Sequence, residues 1–189
     1  MAPSASEVES ALRAWVDEWV VGLNLCPFAR PVVEAHTLRY VVSEATDQDA
    51  LVAQLEQELK RLTSDDPAVA TTLVITPRLW GGKPGRSREE GFLDMNDFMA
   101  IIDALLVSMD LDGVIQVPFF HPQFCFGGVA PADPANRTNR APYPAFHLLR
   151  EADVTDAATR HPDLSRIPED NVARLRELFA DEPEGPTRL

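Results

Sequence analysis

A chain of 189 residues, 45% hydrophobic and 25% charged, has the composition of one globular domain. Its formal net charge of −13 argues against nucleic acid or an anionic membrane as partner, because both need a basic face. No apolar run nears the ~20 residues of a spanning helix. Met1 to Glu9 lacks the basic and apolar parts of a secretion signal, and two cysteines suit a reducing cytoplasm.

Ser6 and Glu9 have capping-box spacing and predict a helix start. Val8, Leu12, Trp15, Val16, Trp19, Val20 and Leu23 follow on one helical face. Gly22, Asn24 and Pro27 stop that helix, which sets Cys26 at its C-terminal end. Thr37 to Ser43 reads as a strand. Thr46 is expected to cap a second helix with the stripe Leu51, Val52, Leu55, Leu59 and Leu62. Val69 to Thr76 predicts a strand buried on both faces. Pro77 to Gly91 is glycine-rich and reads as a loop; Pro84 after Gly82-Lys83 departs from the phosphate-loop pattern. Asp94 is expected to cap a third helix carrying Phe98, Ile101, Ile102, Leu105, Leu106 and Met109. Gly113 ends it, and Val114 to Val117 makes a third strand. Pro144 suits the start of a fourth helix that would put Tyr143, His147, Arg150 and Glu151 on one face. Thr155 to Arg160 and the segment from Pro168 read as two further helices.

This order predicts an α/β fold: a small, mostly parallel three-stranded sheet, strands about 37–43, 69–76 and 113–118, with crossover helices and two or three C-terminal helices. Residues 1–180 would form one domain, with a flexible insertion at 81–91 and a disordered tail at 181–189.

In open α/β sheets ligands bind beyond the carboxyl ends of the strands. That rule sets Ser43, Pro77-Arg78 and Phe120-His121 on one rim, followed by the Asn136-to-Tyr143 loop. Ile115 to Arg150 carries +2, with Asp133 its lone acid, while the remainder carries −15. Arg137, Arg140 and Arg150 could grip a small carboxylate or phosphate, or each could pair with a nearby acid. His121 could serve as acid, base or ligand, or sit behind its proline turn bonded to backbone. Cys26 is either a nucleophile or a small buried hydrophobe, and Cys125, between two phenylalanines, looks structural. No His, Cys or Asp pair has metal-ligand spacing. Asp94, Asn96 and Asp97 suit a helix cap better than a cation site. Asn136-Arg-Thr138 matches a glycosylation pattern without meaning in an unsecreted chain.

Seven blocks add a resemblance. They are Gly22-Leu-Asn-Leu-Cys-Pro-Phe-Ala29, Arg39-Tyr-Val-Val-Ser43, Thr71-Thr-Leu-Val-Ile75, Phe92-Leu-Asp-Met-Asn-Asp-Phe98, Phe120-His-Pro122, Thr138-Asn-Arg-Ala-Pro-Tyr-Pro144 and His147-Leu-Leu-Arg-Glu-Ala152. In that order, from about Val8 to Leu178, the chain closely resembles the bacterial family called domain of unknown function 1415. The resemblance implies a cytoplasmic single-domain protein and brings no activity with it. The family's motif residues map onto Asn24, Cys26, Arg39, Asn96, His121, Asn139, Arg140, Tyr143, His147, Arg150 and Glu151. Two departures from its pattern mark Gly81 to Gly91 as an insertion and Cys125 as a replacement for Gln.

The candidates are therefore His121, His147 and Cys26 for catalysis, and Arg39, Asn139, Arg140, Tyr143, Arg150, Glu151, Asn24 and Asn96 for binding, with no metal and no named cofactor. Three functions compete. One is an enzyme acting on a small anionic metabolite through histidine acid/base chemistry. Another is a non-catalytic binding or regulatory module using the same pocket. The third is an assembly protein whose polar blocks form a buried network.

Overall fold

The first helix, α1 (Ala5–Trp15), is capped by Ser4 rather than Ser6. The Ser4 hydroxyl accepts from Glu7 N–H at 3.3 Å, and the Glu7 carboxylate accepts from Ser4 N–H at 2.7 Å. Both serines have a glutamate three residues on; the earlier start completes a turn beneath Val8, which is fully buried. A π-helical segment (Val16–Val21) continues α1, and Asn24, in the left-handed region at φ 51°, turns the chain out. A short helix α2 (Ala29–Glu34) follows, leading to strand β1 (Leu38–Val42). Helix α3 (Gln48–Leu62) is capped by Asp47, whose carboxylate accepts from Ala50 N–H at 2.9 Å; Thr46 is not the cap. Strand β2 (Thr71–Ile75) is buried along its whole length. The computed structural model describes residues 3–64, 68–80, 87–159 and 166–180.

Helix α4 (Arg88–Ser108) begins earlier than expected. Ser87 and Glu90 form its capping box, so Asp94 lies inside the helix. The expected flexible insertion thus ends in the first turn of α4, and its residues 81–86 lie outside the described ones, as does the tail 181–189. Gly91 has a packing reason: a Cβ there would stand 2.1 Å from the Trp80 carbonyl oxygen. Beyond α4 come two strand pieces, β3 (Ile115–Gln116) and β4 (Phe119–Phe120), then a 3₁₀ turn (Pro134–Asn139), strand β5 (Ala145–Arg150), and helices α5 (Glu151–Thr159) and α6 (Ile167–Leu178).

The sheet is mixed and has five strands, in the order β1-β2-β5-β3, with β4 also on β5. The expected three-stranded, mostly parallel sheet needs correcting in one place. β1 and β2 are parallel, Leu38 opposite Thr71 and Val42 opposite Ile75. The expected third strand is there as β3 and β4, interrupted at Pro118, and runs in the same sense. Between it and β2, however, lies β5, antiparallel to both. Ala145 to Arg150 was expected to be helical because Pro144 suits a first helical position. As a strand the segment buries Phe146 and Leu148 toward α3 and α4, and Ala145 toward α1. A fully enclosed position overrides local propensity. One consequence is geometric: in a strand, side chains three apart point to opposite faces, so His147 and Arg150 do not share one.

Two apolar layers sandwich the sheet. Leu51, Leu55, Leu59 and Leu62 of α3 meet Met95, Phe98, Ile102 and Leu106 of α4 over one face. Val8, Leu12 and Trp15 of α1, with Val16, cover Leu73, Ile75 and Ala145 on the other. Among the described residues no helix is long and apolar enough to cross a membrane.

Candidate functional site

The rim beyond β1, β2 and β4 carries the predicted loop. Ser43 N–H bonds the Ile75 carbonyl at 2.7 Å, Thr76 N–H the Pro144 carbonyl at 2.8 Å, and His121 N–H the Asn139 carbonyl at 3.1 Å. These bonds bring Ser43, Thr76, His121 and the Asn139–Pro144 segment to one end of the sheet. His121 is buried. Its Nδ1 accepts from Gln123 N–H at 3.0 Å, and its Nε2 lies 3.1 Å from the Trp80 carbonyl. The carbonyl can only accept, so the ring proton sits on Nε2 and both nitrogens are in use. His121 fastens the loop to Trp80, itself held in the left-handed region at φ 56°.

The loop that follows is braced from within. Asn136 is fully buried; its side chain accepts from Phe126 N–H at 2.9 Å and donates to the Ala130 carbonyl at 2.8 Å. Sequence reasoning passed over Asn136 as part of a glycosylation pattern. The usable signal was its place after Asp133-Pro134, where Asp133 caps the 3₁₀ turn through Ala135 N–H at 2.9 Å. Thr138 Oγ1 lies 3.0 Å from both the Ala135 carbonyl and Asn139 Oδ1.

Arg140 ties the loop's two limbs together. Its Nε donates to the Phe124 carbonyl at 2.9 Å and its Nη2 to the Pro131 carbonyl at 2.7 Å. No carboxylate among the described residues pairs with it. Burial lowers its pKa below the usual guanidinium value; Cys125 opposes that shift and the neighbouring Arg137 adds to it. The guanidinium remains cationic, so a half-buried charge is solvated by two carbonyl dipoles and keeps N–H donors to spare.

Helix α6 clamps this loop to the turn that holds Asn24 and Cys26. Arg176 pairs with Asp133 at 2.7 Å, and the Arg137 guanidinium lies 3.8 Å over the Phe179 ring. Toward the N-terminal turn, Asn171 donates to the Leu25 carbonyl at 2.7 Å and Arg174 to that of Leu23. Cys26 therefore stands between the π-helical segment and α2, not simply at a helix C-terminus. The Ala29 N–H bonds the Cys26 carbonyl at 3.2 Å. Burial pushes the Cys26 thiol up, against the opposing effect of the Phe28 and Ala29 backbone. At neutral pH it stays protonated. Both cysteines are free thiols.

The other candidates lie elsewhere. His147 faces α1, on the side of the sheet opposite Trp80. Its Nε2 is 2.8 Å from Thr71 Oγ1, and that hydroxyl gives its one proton to the Leu148 carbonyl at 2.7 Å. Nε2 must then be the donor, and burial pushes the ring pKa down to about 4. Arg39 forms a paired contact with Glu58 of α3, at 2.8 and 3.1 Å. Arg150 holds the end of α3 and the chain entering β2: it donates to the carbonyls of Leu62, Val69 and Ala70 at 2.9 to 3.1 Å. Glu151 accepts from the Gln116 amide at 3.3 Å. Asn96 is exposed on α4, and Tyr143 packs against the α1 layer. The geometry thus brings together His121, Asn139 and Arg140, with the Asn24–Cys26 turn joined to them through α6, and leaves His147, Arg39, Arg150, Glu151 and Asn96 apart.

An α/β protein with a five-stranded mixed sheet and an arginine-centred loop on its rim is the class these features define. The chain belongs to the family described as protein of unknown function (DUF1415), whose model matches residues 7–184. No curated protein and no solved structure matches it.

Proposed function

We propose that the protein captures a small anionic molecule at Arg140, and that His121 acts there as a structural pin for the loop. One observation carries this reading: a half-buried guanidinium is held by two backbone carbonyls instead of a carboxylate. A cation taken partly out of water without a counter-charge is costly, and Arg137 beside it raises that cost. An anion placed on the remaining N–H groups offsets both, through charge-assisted bonds worth roughly twice neutral ones. The acidic remainder of the surface repels polyanions and leaves the site to small ones.

Thermal unfolding with inorganic phosphate and a panel of small carboxylates tests it. A ligand at about 100 times its Kd adds about 2.7 kcal/mol, a shift of several degrees. Arg140→Lys keeps the charge but loses the forked geometry, and the ligand shift should fall well below that of wild type. Arg39→Lys, whose partner is Glu58, should leave the shift intact. Equal shifts in wild type and Arg140→Lys, or none in either, would remove the proposal.

A second reading, an enzyme acting on the bound anion, draws on the free thiol of Cys26, in the turn that α6 holds through Leu23 and Leu25. It requires turnover that Cys26→Ser abolishes while anion binding persists; binding without turnover leaves the non-catalytic module.

A further inference from the structure

Helix α4 is apolar on two sides. Met95, Phe98, Ile102 and Leu106 face the core, which is the ordinary amphipathic arrangement. Leu93, Ala100, Ala104 and Val107 fall on the opposite side at 100° per residue, and all four are exposed. Leu93 is 55% and Val107 61% exposed, large for residues of their kind. Their sequence spacing of seven between Leu93, Ala100 and Val107 is that of a helix seam, and the two alanines between them let another helix approach closely.

The charges that α4 itself sets beside this stripe have one sign. Asp97 borders it on one edge and Asp103 on the other, both exposed, and neither makes an ion pair among the described residues. No Lys or Arg occurs from Glu89 to Asn136. A second copy of this chain would set aspartates against aspartates, and an anionic lipid surface would be repelled. A cationic helix meets both conditions: apolar or small residues along its centre and Lys or Arg at the flanks.

We propose that the outer face of α4 docks an amphipathic helix of a cationic partner protein, its apolar side on Leu93, Ala100, Ala104 and Val107 and its basic flanks beside Asp97 and Asp103. The surface is independent of Arg140. The test uses the full chain and three labelled synthetic helical peptides: one with a Leu/Ala stripe flanked by Lys, one with Glu in place of Lys, and one with the Lys peptide's composition scrambled. Fluorescence anisotropy reads binding, and light scattering reads the oligomeric state of the protein alone.

The Lys-flanked peptide binds saturably, and the other two at least about tenfold more weakly. Ala100→Arg, which fills the stripe with a charge, weakens the Lys-flanked peptide by a similar factor. Asp97→Lys with Asp103→Lys reverses the preference toward the Glu-flanked peptide. All these positions are exposed, and circular dichroism confirms that the variants are folded. Equal binding of the scrambled peptide, absence of saturable binding, or a dimer of the protein alone that Ala100→Arg dissociates would each overturn the proposal.

Discussion

Thr71 has one hydroxyl proton, and that proton decides the state of His147. Because it goes to the Leu148 carbonyl, the imidazole must donate from Nε2, and burial favours the neutral ring. The folded pKa of about 4 lies below the ordinary value of 6.5. A lowered folded value means that the unfolded chain takes the proton first. The stabilising contribution is complete above pH 6.5 and is lost as pH falls from there through 4. It amounts to at most about 3 kcal/mol, reduced by whatever solvent reaches the half-buried residue. His147→Gln keeps a donor for Thr71 and cannot titrate in this range. Urea unfolding at pH 7 and pH 4.5 should show a smaller loss for that variant than for wild type; equal losses would mean that other groups set the acid sensitivity. Thr72, one position on, gives the opposite lesson. Its hydroxyl is buried with no partner among the described residues, which costs roughly 1–3 kcal/mol. Thr72→Val retains the branched shape that suits a strand and should raise the melting temperature.

Elements that bury a stripe of local periodicity were readable in advance. The first helix, α3, β2 and the body of α4 follow from apolar spacing, but the caps moved, since Ser4, Asp47 and Ser87 each compete with another plausible residue nearby, and the first helix turns π-helical from Val16. β5 was not readable. Six residues of Ala-Phe-His-Leu-Leu-Arg satisfy a helix as well as a strand, and what decides is the open edge of β2 and the pieces β3 and β4 waiting on its other side. The junction between β2 and α4 depends on contacts invisible in composition. Trp80 offers one carbonyl to His121 Nε2 and keeps it against Gly91. Gly91→Ala inserts a methyl where backbone already sits, and overpacking of this kind costs about 2 kcal/mol. Chemical denaturation should show that loss, whereas Ala100→Ser on the exposed face of the same helix should cost under about 0.5 kcal/mol.

On the scale of the molecule, the candidate site was legible as a region and not as a set of contacts. With Asp133 the lone acid between Ile115 and Arg150, the charge pattern pointed to the loop that carries Arg140. The partners that claim Arg39 and Arg150 come from α3 and the chain after it, far away in sequence, and no local pattern announces them. The role of α6 was equally hidden, because Asn171, Arg174, Arg176 and Phe179 act by reaching two separate turns. Phe179 also stacks on Trp19 at 5.7 Å. Phe179→Ala should therefore loosen both turns, and amide exchange should quicken in Pro134–Asn139 more than in α3; uniform acceleration would show that α6 is only part of the general core.

The strand at the centre of the sheet is also the last to be made. β2 holds β1 on one edge and waits for β5 on the other, while β3 and β4 pair only with β5 among the described residues. A nascent chain halted at Pro144 would carry two disconnected patches of strand and an apolar seam between them, a species prone to stick to its neighbours. Ala145 to Arg150 supply the strand that closes that seam, so the interval before they are made is the one in which the unpaired edges lie open to misassociation.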